Sequence, residues 1–188
     1  FGLNDWFGDG AQAEFCVARS ADVAPKPTSV DHGTAAVVPI SALTAWQGLV
    51  ERAKLTRGER VLVHGAAGNV GLFAVQIAHG IGAHVIAIAS GHNLEFVHSL
   101  GADEVIDYRA RSFEDAVMGV DVVFDTVGGD TLARSWGVLR RGGTMVTTAA
   151  DAEQTREQRV KDAFFIVEPN REQLTRISRM IDAGKLRV

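Results

Sequence analysis

Three glycines at three-residue spacing, Gly65, Gly68 and Gly71, separate two apolar runs in Val61-Leu-Val-His-Gly-Ala-Ala-Gly-Asn-Val-Gly-Leu-Phe-Ala-Val-Gln-Ile-Ala78. The run before them is short and rich in Val and Leu, which suits a strand buried on both faces. The run after them has helical periodicity. A chain that leaves a strand, turns tightly and starts a helix aims that helix's free N–H groups back at the turn. Backbone donors and the positive helix end then favour an anion such as phosphate. Gly65 suits the tight turn, Gly68 the close approach of a pyrophosphate, and Gly71 close helix packing. A nucleotide-hydrolase loop would need Gly-Lys-Ser/Thr after the glycines, but Gly71 is followed by Leu72-Phe73. Kinase or ATPase chemistry is disfavoured.

The rest of the chain repeats this strand–turn–helix unit. Ala11 to Arg19 alternates as one exposed-edge strand, and Pro25 and Pro27 force an extended connector. Asp31 caps a short helix running to Val38, which Pro39 ends or kinks, and Ser41 to Lys54 forms a second. Strand 60–64 then leads to helix 69–80, strand 84–89 to helix 92–100, and strand 104–107 to a weak helix near 112–118. Strand 120–125 leads to a helix near 130–139. Strand 144–149 leads to a polar helix around 151–160, and strand 164–167 stops at Pro169 before a last amphipathic helix, 171–183. This alternation predicts an α/β fold: a doubly wound parallel sheet of six strands, the Rossmann dinucleotide fold, in order 3-2-1-4-5-6.

Bulk properties narrow the function. With 188 residues, 46% hydrophobic and 22% charged, a normal buried core is expected. The net charge of −4 leaves no basic stripe for a nucleic-acid backbone. The single cysteine, Cys16, excludes a disulfide framework and any thiolate-rich metal site within the chain. It suits a reducing cytoplasm. No apolar run reaches the ~20 residues that span a bilayer, so no membrane partner is expected. Phe1-Gly-Leu-Asn-Asp-Trp-Phe-Gly-Asp-Gly10 is aromatic and glycine-rich without periodicity. It reads as part of a longer protein; the alternative is a short protein with a loose N-terminus.

The second strand addresses which dinucleotide binds. An acidic residue ~20 positions beyond the glycine turn would bond an adenosine ribose 2′-OH. Here that place falls on Ile88-Ala-Ser-Gly-His-Asn93, and the first acid is Glu95. With no carboxylate to repel a 2′-phosphate, NADP(H) is favoured over NAD(H). Ser90 is the expected phosphate donor, with His92 or Arg109 as charge partners. On the blander reading Ser90 caps the next helix and His92 is a solvated surface residue.

These residues resemble a known family. His64-Gly-Ala-Ala-Gly-Asn-Val-Gly-Leu-Phe-Ala-Val-Gln-Ile-Ala78 is similar to the cofactor turn of medium-chain dehydrogenases/reductases, in the quinone oxidoreductase-like (zeta-crystallin-like) branch. Leu43-Thr-Ala-Trp46, Ser99 to Tyr108, Asp125-Thr-Val-Gly-Gly129 and Leu139-Arg-Arg-Gly-Gly143 follow in the family's order. The resemblance implies that Ala67, Gly68, Asn69 and Val70 cradle the pyrophosphate and that Ser90 meets the 2′-phosphate. It places Tyr108 at the adenosine end and Val127 near the nicotinamide ribose. Phe164, Phe165 and Ile166 would line the nicotinamide pocket, with Thr44 approaching from the other side. Tyr108 could equally be a boundary aromatic, and the 164–167 run would be apolar in any buried strand.

The resemblance further implies that residues 1–28 are the tail of a GroES-like β domain with its connector. Residues 29–184 are then the NADP(H)-binding domain, and 185–188 begin the return to the first. The expected activity is zinc-independent hydride transfer from NADPH to a quinone or other conjugated carbonyl (enone). No catalytic acid and no metal ligand can be named. Zinc-dependent relatives carry a cysteine in the helix before the cofactor domain, whereas this segment reads Pro39-Ile-Ser-Ala-Leu-Thr-Ala45, and Cys16 is expected to be a small buried residue. Asn69 stands where the branch often has glycine, a change Asn tolerates. The alternatives are a non-catalytic NADPH-binding or interaction module, or an enoyl reductase acting on carrier-bound substrates. The exposed sixth strand would pair two copies into a homodimer.

Overall fold

The computed structural model describes residues 1–3, 10, 13–149 and 156–188. They form two compact units, one of Phe1–Thr44 with Val167–Val188 and one of Ala45–Ile166.

The second unit is built on a parallel sheet of five strands, β1 Arg60–Val63, β2 His84–Ala89, β3 Glu104–Asp107, β4 Val120–Asp125 and β5 Leu139–Thr147, in the order β3-β2-β1-β4-β5. Val61, Leu62 and Val63 of β1 are fully buried because β1 is paired on both edges, to β2 (Val63↔Ala87) and to β4 (Val63↔Phe124). Leu62, Ile86, Ile88 and Val123 meet Phe113, Leu132 and Val160 in one apolar cluster. Burying such side chains contributes about 1.5–3 kcal/mol each before entropy is counted.

The reversal of strand order lies between β1 and β4. The first strand in sequence therefore sits mid-sheet, and its exit turn opens where neighbouring connections diverge, the place where such sheets bind ligands. Out of that turn runs α3, Asn69–Ile81, whose Phe73, Ala74, Ile77 and Ala78 are buried.

In the first unit, α1 (His32–Ala36) is capped by Asp31, which accepts from Thr34 N at 2.6 Å. The helix α2 begins at Val38 and ends at Trp46. Pro39 opens it rather than ending its predecessor, because an N–H is not missed in a first turn. A π-helical turn, Gln47–Arg52, replaces the expected continuation to Lys54.

Four further α-helices, α4 Leu94–Ser99, α5 Gly129–Ser135, α6 Gln158–Ala163 and α7 Arg171–Asp182, are seen among the described residues. Asn170 caps α7 by accepting from Gln173 N at 3.0 Å, and Leu174, Ile177 and Ile181 are its buried stripe.

Several expectations are corrected. The sheet has five strands, not six: the segment 164–167 is reduced to a parallel bridge, Thr147↔Phe164, with Phe165 N donating to Thr147 O at 3.3 Å. Phe165 and Val167 are buried while Ile166 and Glu168 are exposed, so the alternation is that of an edge. Helix α6 ends only at Ala163 and Pro169 offers no donor, which leaves too few residues for a ladder. Second, of the strand expected at 11–19, residues 11 and 12 lie outside the described residues and 13–19 form no strand. Phe15 and Val17 are 90% and 93% exposed, and alternation alone cannot make a strand without a partner ladder. Third, Cys16 is exposed rather than buried. The helix expected at 151–160 falls partly outside the described residues, and its described part is α6. Residues 112–118 form only a short 3-10 turn, Phe113–Asp115.

Candidate functional site

A cleft of about 850 Å³ opens at the carboxyl ends of β2, β1, β4 and β3. Its floor is the glycine turn. Gly65 has φ +67°, a conformation side chains avoid. A Cβ at Gly71 would collide with the Gly65 carbonyl and lie 2.7 Å from Ala66 Cα, so the first turn of α3 seats directly on the loop. Gly68 occupies the cap position and supplies no side-chain hydrogen bond. The leading N–H groups of α3 are therefore available to an external acceptor.

Four of the residues singled out in the sequence come together here. Ala67, Gly68, Ser90 and Tyr108 all line the cleft, together with Asn93 and Arg109. Ser90 is buried, and its Oγ accepts from Asn93 Nδ2 at 3.1 Å and lies 3.4 Å from His92 Nε2. The Arg109 guanidinium lies 5.6 Å from the Tyr108 ring centroid, and Tyr108 is 55% exposed.

Asn69 and Val70 follow Gly68 as the first residues of α3. Val127 lines the cleft with Thr126, beyond the glycine turn. Thr44 lies in the first unit, where its hydroxyl donates to Ile40 O at 2.6 Å. Phe164 packs on the apolar cluster, Phe165 is buried with the Arg52 guanidinium 5.4 Å from its ring centroid, and Ile166 is exposed. None of these last four lines the cleft.

Three further lining residues, His64, Arg111 and Arg134, had no role assigned from the sequence. His64 is 1% exposed at the base of the turn, edge-on to Phe113 with ring centroids 4.7 Å apart. Burial, with the nearby Arg134 charge, pushes its pKa from 6.5 down to about 4, so the ring is neutral at physiological pH. Arg111 and Arg134 add positive charge to the cleft. Arg134 Nη1 pairs with Glu114 Oε1 at 2.6 Å. Burial raises the Glu114 pKa, but hydrogen bonds from Ser112 and Arg134 outweigh it and leave the carboxyl below its ordinary value.

Sheet register also brings Asp107, opposite Ala89, beside the end of β2. A Cβ at Gly91 would lie 2.7 Å from its Oδ2. Asp107 is not among the lining residues, and its Oδ1 accepts from Arg109 N at 3.0 Å. Asp107 and Gly91 are brought together by the register of two strand ends, not by closeness along the chain.

A family model described as zinc-binding dehydrogenase matches residues 69–177, more than half of the chain. The chain belongs to the medium-chain dehydrogenase/reductase superfamily. It is 33% identical to a probable zinc-binding oxidoreductase, mitochondrial, of Arthroderma benhamiae, over 94% of this chain and 59% of that protein. It is 40% identical to the NAD(P)H oxidoreductase RTN4IP1, mitochondrial, of Mus musculus, over 73% of this chain and 37% of the other. The quinone oxidoreductase from Coxiella burnetii has a similar structure, with a TM-score of 0.83 at 30% identity, covering 91% of this chain and 56% of that one. The chain thus spans less than two thirds of each of these relatives.

The family description raises the question of zinc. Among the described residues no group of three or more His, Cys, Asp or Glu side chains could hold a metal ion. The exposed Cys16 has no such set around it. No helix among the described residues is long and apolar enough to cross a membrane.

Proposed function

We propose that the protein is a zinc-independent, NADPH-dependent oxidoreductase that passes hydride to a quinone or another conjugated carbonyl (enone). The observation that carries this reading is the cleft itself: an uncapped helix start at the switch point, flanked by Ser90, Tyr108 and Arg109 on one side and Val127 on the other. NADP(H) fits those groups. Ala67, Gly68, Asn69 and Val70 take the pyrophosphate on backbone N–H groups. Ser90 and Arg109 take the 2′-phosphate, Tyr108 borders the adenosine, and Val127 borders the nicotinamide ribose. Thr44, Phe164, Phe165 and Ile166 keep their nicotinamide role on the family resemblance alone.

When bound, the nicotinamide supplies the hydride, while the protein binds, orients and excludes water. Cations in the cleft favour the phosphorylated cofactor. The neutral His64 adds no charge beneath the turn. Zinc independence is supported by the 39–45 segment, which has neither Cys nor His.

The same reading assigns residues 1–28 to the tail of a GroES-like domain, 29–184 to the cofactor domain and 185–188 to the return. It pairs two copies along the 162–168 edge. The cysteine content supports a reducing compartment, proposed as the cytoplasm, although two relatives carry "mitochondrial" in their names.

The test is a substrate panel on the full-length protein, with NADPH and NADH compared and a chelator present. NADPH oxidation with quinones or enones, unaffected by the chelator, supports the proposal. Tight NADPH binding with no acceptor reduced would make the chain a binding module. Turnover confined to carrier-bound enoyl groups would make it an enoyl reductase.

A further inference from the structure

We propose that Asp125 is a positioning residue that holds the Thr126–Gly128 loop so that Val127 receives the nicotinamide half of the cofactor. The proposal rests on the NADP(H) reading above and adds a role that the glycine turn does not supply.

Asp125 ends β4 and is 0% exposed. Val127 N donates to its Oδ1 at 3.1 Å, and Gly128 N donates to its Oδ2 at 3.0 Å. Thr147, the last residue of β5, donates its hydroxyl to Oδ2 at 2.8 Å. Ala149 N donates to that same Thr147 oxygen at 3.2 Å, which leaves the hydroxyl hydrogen for Asp125. Thr126 ties the other flank, its hydroxyl donating to His64 O at 2.9 Å. The loop is therefore fastened to its own strand end, to β5 and to β1. Its polar groups face inward, while the apolar Val127 side chain is 55% exposed and lines the cleft.

Strand order gives this fastening a direction. In β3-β2-β1-β4, Ser90 and Tyr108 lie on one side of the β1 turn and Val127 on the other. A dinucleotide laid across the switch point meets them with opposite halves. Displacing the Val127 loop therefore affects the half beyond the pyrophosphate and spares the adenosine half. A carboxylate suits the position because its oxygens only accept, and three donors converge on it. An asparagine there would turn an NH₂ group toward at least one of those donors and leave a buried group unsatisfied.

The experiment compares two ligands on Asp125→Asn and Thr147→Val in the full-length protein. One is NADPH, followed by nicotinamide fluorescence. The other is adenosine 2′,5′-bisphosphate, which lacks the nicotinamide half. The expected result for Asp125→Asn is NADPH affinity weakened by about tenfold or more, as expected when a buried donor of the loop is left unsatisfied. Adenosine 2′,5′-bisphosphate is expected to bind as tightly as to wild type. Thr147→Val, which removes one donor without a change of charge, is expected to show the same selectivity in smaller degree, and it carries the test if Asp125→Asn does not fold. Equal weakening of both ligands, or of neither, overturns the positioning role. Failure of the wild-type protein to bind either ligand overturns the cofactor reading and this one with it, and is recognised because no variant is needed to see it.

Discussion

Ser135 Oγ lies 2.9 Å from His64 Nε2 and gives its own hydrogen to the Thr131 carbonyl at 2.7 Å. With that hydrogen committed, the hydroxyl accepts, so His64 Nε2 carries the ring proton. The pair joins the floor of the cleft to α5 and fixes one neutral tautomer in a nearly closed space.

A pH dependence follows with a definite sign. Burial lowers the folded-state pKa of His64 from 6.5 to about 4. The unfolded chain therefore binds one more proton than the folded chain between those values, and stability rises with pH across the window. The contribution is fully present above pH 6.5 and is lost as pH falls toward 4. At ~1.4 kcal/mol per unit it amounts to roughly 3 kcal/mol. Thermal unfolding of wild type and His64→Gln across this window should show a shallower acid slope in the variant. Parallel slopes would remove His64 as the titrating group.

Gly71→Ala tests the seating of the helix. The added Cβ meets the Gly65 carbonyl and Ala66 Cα, both backbone, so neither moves without shifting the turn. Overpacking of this kind costs about 1–3 kcal/mol, occasionally more. The expected outcome is a lower Tm together with weaker NADPH binding. A variant that unfolds and binds like wild type would contradict the close packing.

What the sequence disclosed and what it withheld divide along chain separation. The glycine turn, the strand–helix units on either side of it and the Asp31 cap are local, and each is seen close to where the residues predict it. Segment 164–167 failed as a strand because pairing depends on room along β5 and on how late α6 ends, neither of which is a local property. The alternation at Phe15 and Val17 promised a strand face, but no ladder lies along it. Ser90 and Tyr108, singled out by their place in the sequence, both line the cleft. The His64–Ser135 bond spans 71 residues, and the nearness of Asp107 to Gly91 comes from register, so neither had a sequence signature.

Arg109 tests cofactor preference. It lines the cleft beside Ser90 and stacks on Tyr108, where a guanidinium can meet a phosphate. Arg109→Ala should weaken NADPH more than NADH, by about tenfold in the ratio of dissociation constants, as expected for a charge-assisted bond worth roughly 1.5–3 kcal/mol. Titration of both cofactors decides it. An unchanged ratio would leave the 2′-phosphate to Ser90 and its neighbours.

Phe164 and Phe165 meet Thr147 through a single bridge, and Ile166 points outward at 49% exposure. An apolar side chain on an incomplete edge is a template for pairing with another copy. Ile166→Lys places a charge on that edge, the device by which edges are kept apart. It should shift the protein toward monomer in sedimentation velocity at micromolar concentration. Because the position is exposed within the chain, the variant's own fold should lose little, within about 0.5 kcal/mol of stability. A wild-type protein that already sediments as a monomer, or a variant that stays dimeric, would rule out pairing through this edge.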